Sequence, residues 1–255
     1  MPDPNNNTSL ISFNNWTLRV RESTNASLRS QAPPAATHAL AGSARVVPEA
    51  ERSGGASLML LIHGLTGDEN SMWVFAQNLS SDYWMIAPRA PYPSQMEQGG
   101  YSWRPSDAEP EDRPRLEQLR DSAETLIQLV DDYAASVGID ARTFDVMGFS
   151  QGAAMSSLLA FLSPERIREV GILAGFVPSG LEELVTQRPL EGKPFFIAHG
   201  TKDETVSIQR ARESREILER AGAQVTYCED EVGHKVSTSC LRALKEFFAD
   251  TGSNP

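Results

Sequence analysis

Apolar and polar positions along this chain follow two rhythms. Trp16 to Glu22 (WTLRVRE) alternates large and charged side chains, the period of a half-buried strand. Leu58 to His63 (LMLLIH) is an unbroken apolar run, the pattern of a strand buried on both faces. Further strands are read at Trp84–Ala87, Phe144–Met147, Val170–Ala174, Phe195–Ala198 and Gln224–Cys228. Between them the period lengthens to that of a helix. The clearest case is Arg115–Val137, where Leu116, Leu119, Ala123, Leu126, Val130, Ala134 and Val137 form one stripe and Gly138 ends it. Asp68–Leu79, Gln151–Leu162, Ser207–Arg220 and Ser237–Ala249 read as further helices, the first with Asp68 as N-cap.

Strands alternating with helices predict an α/β fold: a mostly parallel central sheet with helices on both faces. The 255 residues suit one such domain. Residues 1–15 read as a polar N-terminal segment and 16–255 as the domain. Residues 23–56 change character, rich in Ala, Ser, Pro and Gly with little periodicity, and read as a flexible insertion with a short strand near Ala44–Val47. Arg89–Pro114 is a long Pro/Gly-rich loop.

Composition narrows the function classes. The net charge of −11, from 23 basic and 34 acidic residues, disfavours nucleic acid as a partner and anionic membranes as a docking surface. No apolar run approaches the roughly 20 residues of a membrane span, so integral membrane association is not expected. The start, MPDPNNNTSLISFNN, lacks the basic and apolar regions of a secretory signal. Cys228 and Cys240 are too few for a disulfide framework and read as two reduced structural thiols, which fits a cytoplasmic protein.

Ligands of parallel sheets bind beyond the carboxyl ends of the strands, and four such ends here carry unusual chemistry. After Phe144–Met147 comes Gly148-Phe149-Ser150-Gln151-Gly152, a G-x-S-x-G between a strand and a helix. Small residues flank a serine in such a nucleophile elbow because neighbouring backbone would collide with a β-carbon. A serine hydroxyl needs a base. Of the four histidines, His38 falls in the insertion, while His63 and His199 end apolar strands. His234 follows the last strand in an acidic loop, the place for the base in the chain order Ser, Asp/Glu, His. Between Ser150 and His234, the strand Phe195–Ala198 leads into HGTKD and delivers Asp203 as the orienting carboxylate, with Glu204 its neighbouring competitor and Glu229 to Glu231 able to serve only on a different loop path. Acyl transfer also needs two N–H donors for an oxyanion. Gln151, after the nucleophile, supplies one amide, and Leu65 in the His63–Gly67 loop supplies the other.

HGLTGDEN, APRAPYP with GGYSW, GFSQG, HGTKDETV and GHKVS occur in that order. Together they resemble the phospholipase/carboxylesterase family of α/β-hydrolases, which includes the acyl-protein thioesterases, over roughly residues 57–250. The resemblance implies a single-domain α/β-hydrolase fold without a large cap domain and a Ser150–Asp203–His234 triad. It also implies an oxyanion hole of Leu65 and Gln151 amides and hydrolysis without metal or organic cofactor. The substrate would be a small-molecule ester or, for a thioesterase or lysophospholipase, a longer acyl chain. Tyr101 and Trp103 would border the pocket, with a structural plug the alternative role for Trp103, and Met72 and Trp73 would add apolar lining. The active unit would be a monomer or homodimer.

Overall fold

The computed structural model describes residues 7–24, 57–77, 79–105 and 114–249. Most of the 23–56 insertion, with Ala44–Val47 and His38, lies outside the described residues. The first half of the chain supplies β1 (Thr8–Phe13), β2 (Trp16–Arg21), β3 (Ser57–Ile62), α1 (Trp73–Ala76), β4 (Tyr83–Pro88), β5 (Tyr92–Pro93), β6 (Tyr101–Ser102) and α2 (Leu116–Val137). The second half supplies β7 (Phe144–Phe149), α3 (Gln151–Leu162), β8 (Ile167–Leu173), α4 (Glu182–Thr186), β9 (Pro194–Gly200), α5 (Ile208–Arg220), β10 (Gln224–Asp230) and α6 (Thr238–Phe247).

Eight strands form one sheet in the order β1-β2-β4-β3-β7-β8-β9-β10. The six strands from β4 to β10 in that order run parallel, and the β1–β2 hairpin adds antiparallel to β4. Strict alternation divides the core in two. Along β3, Leu58, Leu60 and Ile62 enter one cluster, while Met59 and Leu61 enter the other. Helices α2, α3, α4 and α5 cover the first face through residues such as Leu126, Leu158, Val185 and Leu218. On the second face α1 and α6 bring Trp73 and Leu244. Each such leucine, fully withdrawn from water, contributes about 1.5–3 kcal/mol. The unbroken apolar runs are thus central because both their faces are covered.

Helix α2 follows its apolar stripe and stops at Gly138, whose φ of 70° no β-branched residue adopts easily and whose N–H donates to Ala134 O. Three expectations change. The helix expected at Asp68–Leu79 shrinks to Trp73–Ala76. Asp68 accepts the Asn70 N–H at 2.9 Å and the Ser71 hydroxyl at 3.1 Å, closing a local turn that competes with helix. Thr8–Phe13, within the polar N-terminal segment, is a strand; Asn14 and Asn15, at φ 44° and 67°, make the tight two-residue turn into β2. Cys228 and Cys240 are not reduced thiols but a disulfide joining β10 to α6. These consecutive elements pack with the two Cα atoms 5.7 Å apart, within bridging range. The bond removes the support that reduced thiols lent to a cytoplasmic setting. Among the described residues, no helix is long and apolar enough to cross a membrane.

Candidate active site

The carboxyl ends of β3, β7, β9 and β10 carry the chemistry. Strand β7 runs straight into α3 through Ser150, which has φ 54° and ψ −114°. A non-glycine residue held there stores on the order of 1–3 kcal/mol of backbone strain. Only glycine tolerates the approach on either side of it. A Cβ on Gly148 would lie 2.0 Å from Gly152 O, and one on Gly152 would lie 2.0 Å from Ile62 O. Ser150 N–H donates to Leu173 O, and Ser150 O accepts from Ala153 and Ala154 N–H, so the elbow is pinned from both sides.

Asp203 and His234 come from adjacent strands. In the β9–β10 register Gly200 pairs with Asp230, so the loops leaving both strands start side by side. They touch at Gly200, where a Cβ would meet Val232 O at 2.2 Å. The Asp203 side chain is buried; its Oδ1 accepts Thr205 and Val206 N–H, each at 2.9 Å. Its Oδ2 accepts His234 Nδ1–H at 2.7 Å. In the neutral imidazole that bond places the proton on Nδ1 and leaves Nε2 as the free acceptor, the tautomer a base requires. The His234 side chain is 23% exposed, and its ring lies 5.0 Å from that of Phe149, the residue preceding Ser150. The competing Glu204 is exposed.

Two more histidines border the site, and both are structural. His199 Nε2–H donates to Val206 O at 2.8 Å and lies 3.4 Å from Asp203 Oδ2. His63 Nδ1–H donates to Gly64 O at 2.7 Å, and its Nε2 accepts Ala90 N–H at 3.0 Å. Burial pushes both imidazoles below their ordinary pKa, against the opposing pull of these backbone bonds.

The loop after β3 lies against the elbow: a Cβ on Gly64 would sit 3.2 Å from Ser150 Cβ. Neither the Leu65 nor the Gln151 amide donates to a protein acceptor among the described residues. Leu65 is 40% exposed. A strap, Tyr101–Trp103, crosses between loop and elbow. Thr66 N–H donates to Tyr101 O, and Tyr101 N–H donates to Gly67 O, both at 3.0 Å. The strap's far end binds Gln151, whose Oε1 accepts Trp103 N–H at 2.9 Å.

The expected pocket residues divide. Trp103 is fully buried, with its indole N–H on His63 O at 2.8 Å and its own carbonyl taking the Ser122 hydroxyl at 2.7 Å. It braces the loop and offers no wall. Met72 is likewise buried, and Trp73 nearly so, with its N–H on Glu69 O. Both belong to the core beneath α1. Tyr101 is half-buried under the Arg89 guanidinium, 4.7 Å from its ring centroid. Sequence reasoning missed the fork that holds this cation, Glu69 accepting Arg89 Nε and Nη2 at 2.8 and 2.9 Å. It also missed Phe75, stacked on Phe149 at 5.4 Å. Neither has a sequence signal beyond an ordinary charge or aromatic.

A doubly covered parallel sheet, with serine on a strained strand-to-helix turn and a carboxylate–imidazole pair on the following strand ends, defines an α/β-hydrolase. A carboxylesterase from Mesorhizobium loti shares this fold, with a TM-score of 0.71 at 18% identity over 96% of this chain and 99% of that one. The chain belongs to the phospholipase/carboxylesterase family, whose sequence profile matches residues 42–251. It is a serine hydrolase of carboxylic ester bonds. Acyl-protein thioesterase 1 of Debaryomyces hansenii is 29% identical over 182 residues, which cover 65% of this chain and 78% of the relative. Carboxylesterase SOBER1 of Arabidopsis thaliana is 24% identical over 125 residues, or 48% of this chain and 54% of the relative.

Proposed function

We propose that Ser150, His234 and Asp203 carry out ester hydrolysis through an acyl-enzyme. The observation that carries this reading is the 2.7 Å bond from His234 Nδ1 to a buried Asp203, made beside the strained Ser150 turn. Neutral His234 takes the proton of Ser150 Oγ as that oxygen attacks the ester carbonyl. The carbonyl oxygen becomes an oxyanion held by the Leu65 and Gln151 N–H groups. The C–O bond to the alcohol then breaks, and His234 returns its proton to the departing oxygen. Water enters, gives its proton to His234, attacks the acyl carbon and releases the acid and free Ser150. Asp203 keeps its charge throughout and steadies the imidazolium.

A fluorophosphonate probe tests the assignment. Wild-type protein should label at one site and hydrolyse nitrophenyl butyrate. Ser150→Ala should lose the label and nearly all turnover, and His234→Ala should lose turnover by several orders of magnitude. Equal labelling of Ser150→Ala, or no labelling of folded wild type, would overturn it. A second reading, a thioesterase or lysophospholipase for longer acyl chains, is favoured by the exposed Leu65 side chain and by the thioesterase relative. Rates rising from butyryl to palmitoyl esters would support it; rates falling would reject it. Gel filtration of the active protein decides between monomer and homodimer.

A further inference from the structure

Catalysis by this triad needs two amides from separate elements, the β3 loop and the start of α3, to converge on one oxygen. Any residue at position 151 supplies the backbone amide, so the role leaves its side chain unexplained. That side chain is buried, and both of its polar ends are used. Trp103 N–H can only donate, so the atom 2.9 Å away must be the Gln151 oxygen, and Nε2 then donates to Ser102 Oγ at 3.2 Å. Elsewhere the strap grips the loop on both sides of Leu65, through Thr66 and Gly67 on one side and His63 O on the other. The Ser122 hydroxyl anchors it to α2.

We propose that the Gln151 side chain is a positioning group, using the Tyr101–Trp103 strap as a spacer that sets the distance between the Leu65 and Gln151 amides. This rests on the oxyanion hole proposed for those two amides. Hydrogen bonds weaken steeply with misalignment, so a loosened spacer costs transition-state stabilisation while the bound ester, which uses the hole less, is little affected.

Two variants test it. Gln151→Leu keeps about the side chain's bulk and removes the acceptor; Trp103→Phe leaves the elbow's sequence untouched, removes the indole donor to His63 O and trims part of a buried ring. Turnover of nitrophenyl butyrate is measured per site, with active sites titrated by the fluorophosphonate. For Gln151→Leu, kcat per labelled site should fall about tenfold to a hundredfold, less than or equal to the loss of a whole oxyanion donor. KM should stay within about threefold. Affinity for a trifluoromethyl ketone, which forms a tetrahedral adduct with the serine, should fall in parallel. Trp103→Phe should shift the same quantities in the same direction by a smaller factor. A purely structural role would give fewer labelled sites that each turn over at the wild-type rate, and that result overturns the proposal. Should Gln151→Leu not fold, wild-type kcat in Trp103→Phe overturns it equally. Failure of the wild type to label at Ser150 would instead strike the triad assignment.

Discussion

Asp203→Asn separates orientation from folding at this site. Asp203 Oδ1 accepts two backbone N–H groups, from Thr205 and Val206, so an asparagine must keep its carbonyl oxygen there. Its NH₂ group then faces His234 Nδ1, where Oδ2 now accepts at 2.7 Å. Two donors cannot share that contact, so the imidazole moves its proton to Nε2 and can no longer take one from Ser150. The loss in kcat should be about ten-thousandfold, or about 5.4 kcal/mol of barrier. Stability should change little, by about 1 kcal/mol, because one hydrogen bond is exchanged and no buried amide is orphaned. Asp203→Ala should lose similar activity but also unpair the Thr205 and Val206 amides, costing roughly 2–4 kcal/mol in folding. Nitrophenyl butyrate kinetics and urea unfolding of both variants provide the check. Asp203→Asn retaining more than a tenth of wild-type turnover would refute the role given to this carboxylate.

Gly152→Ala should destabilise the fold by more than about 3 kcal/mol, since its Cβ would lie 2.0 Å from the Ile62 carbonyl in the rigid centre of the sheet. Thermal denaturation measures this, and a shift under about 2 °C would argue against so tight an elbow. Cys240→Ser, or reduction by a dithiol, should cost about 2–4 kcal/mol of stability. The bond closes the loop that carries His234, so activity should fall further than the loss of folded protein explains. Acid should weaken the fold through His63 and His199. Their folded-state pKa values are depressed by burial, so below the unfolded value of about 6.5 the unfolded chain binds more protons and stability falls with pH. Urea midpoints should hold between pH 7 and 8 and decline toward pH 5. His63→Gln should flatten that decline, because the amide oxygen accepts Ala90 N–H without titrating.

The candidate catalytic positions were legible because a parallel sheet leaves its chemistry few places to go. Buried strands announce themselves as continuous apolar runs, and each run ends at the carboxyl edge. Ser150, Asp203, His234 and the His63–Gly67 loop were singled out by that rule, and the register of β3, β7, β9 and β10 brings them to one end of the sheet. Strand β1 was missed for the opposite reason. An edge strand only half-covered on one face, where Ile11 and Phe13 pack on the core while Leu10 is exposed, has no long apolar run, and its signal was the Asn14-Asn15 turn pair ahead of the alternating β2.

What sequence could not show is which polar and aromatic groups face each other. Trp103 lies in the strap beside the site, as expected of a pocket wall, yet an indole also needs a partner for its N–H when buried, and His63 O supplies one. The same holds for Cys228 and Cys240, whose spacing suits two thiols as well as a bridge until β10 and α6 are packed. Glu69 is the sharpest case. By composition it is one of many surface acids in a chain of net charge −11, but its side chain is only 2% exposed. Burial alone would raise its carboxyl pKa; the Arg89 fork, with a backbone N–H, more than offsets that and holds it below the ordinary range. The fork in turn fixes Arg89 over the Tyr101 ring, at the end of the strap that grips the Leu65 loop. The charge pair reaches the Leu65 loop through that chain of contacts, so its placement appears in no motif and depends wholly on the fold.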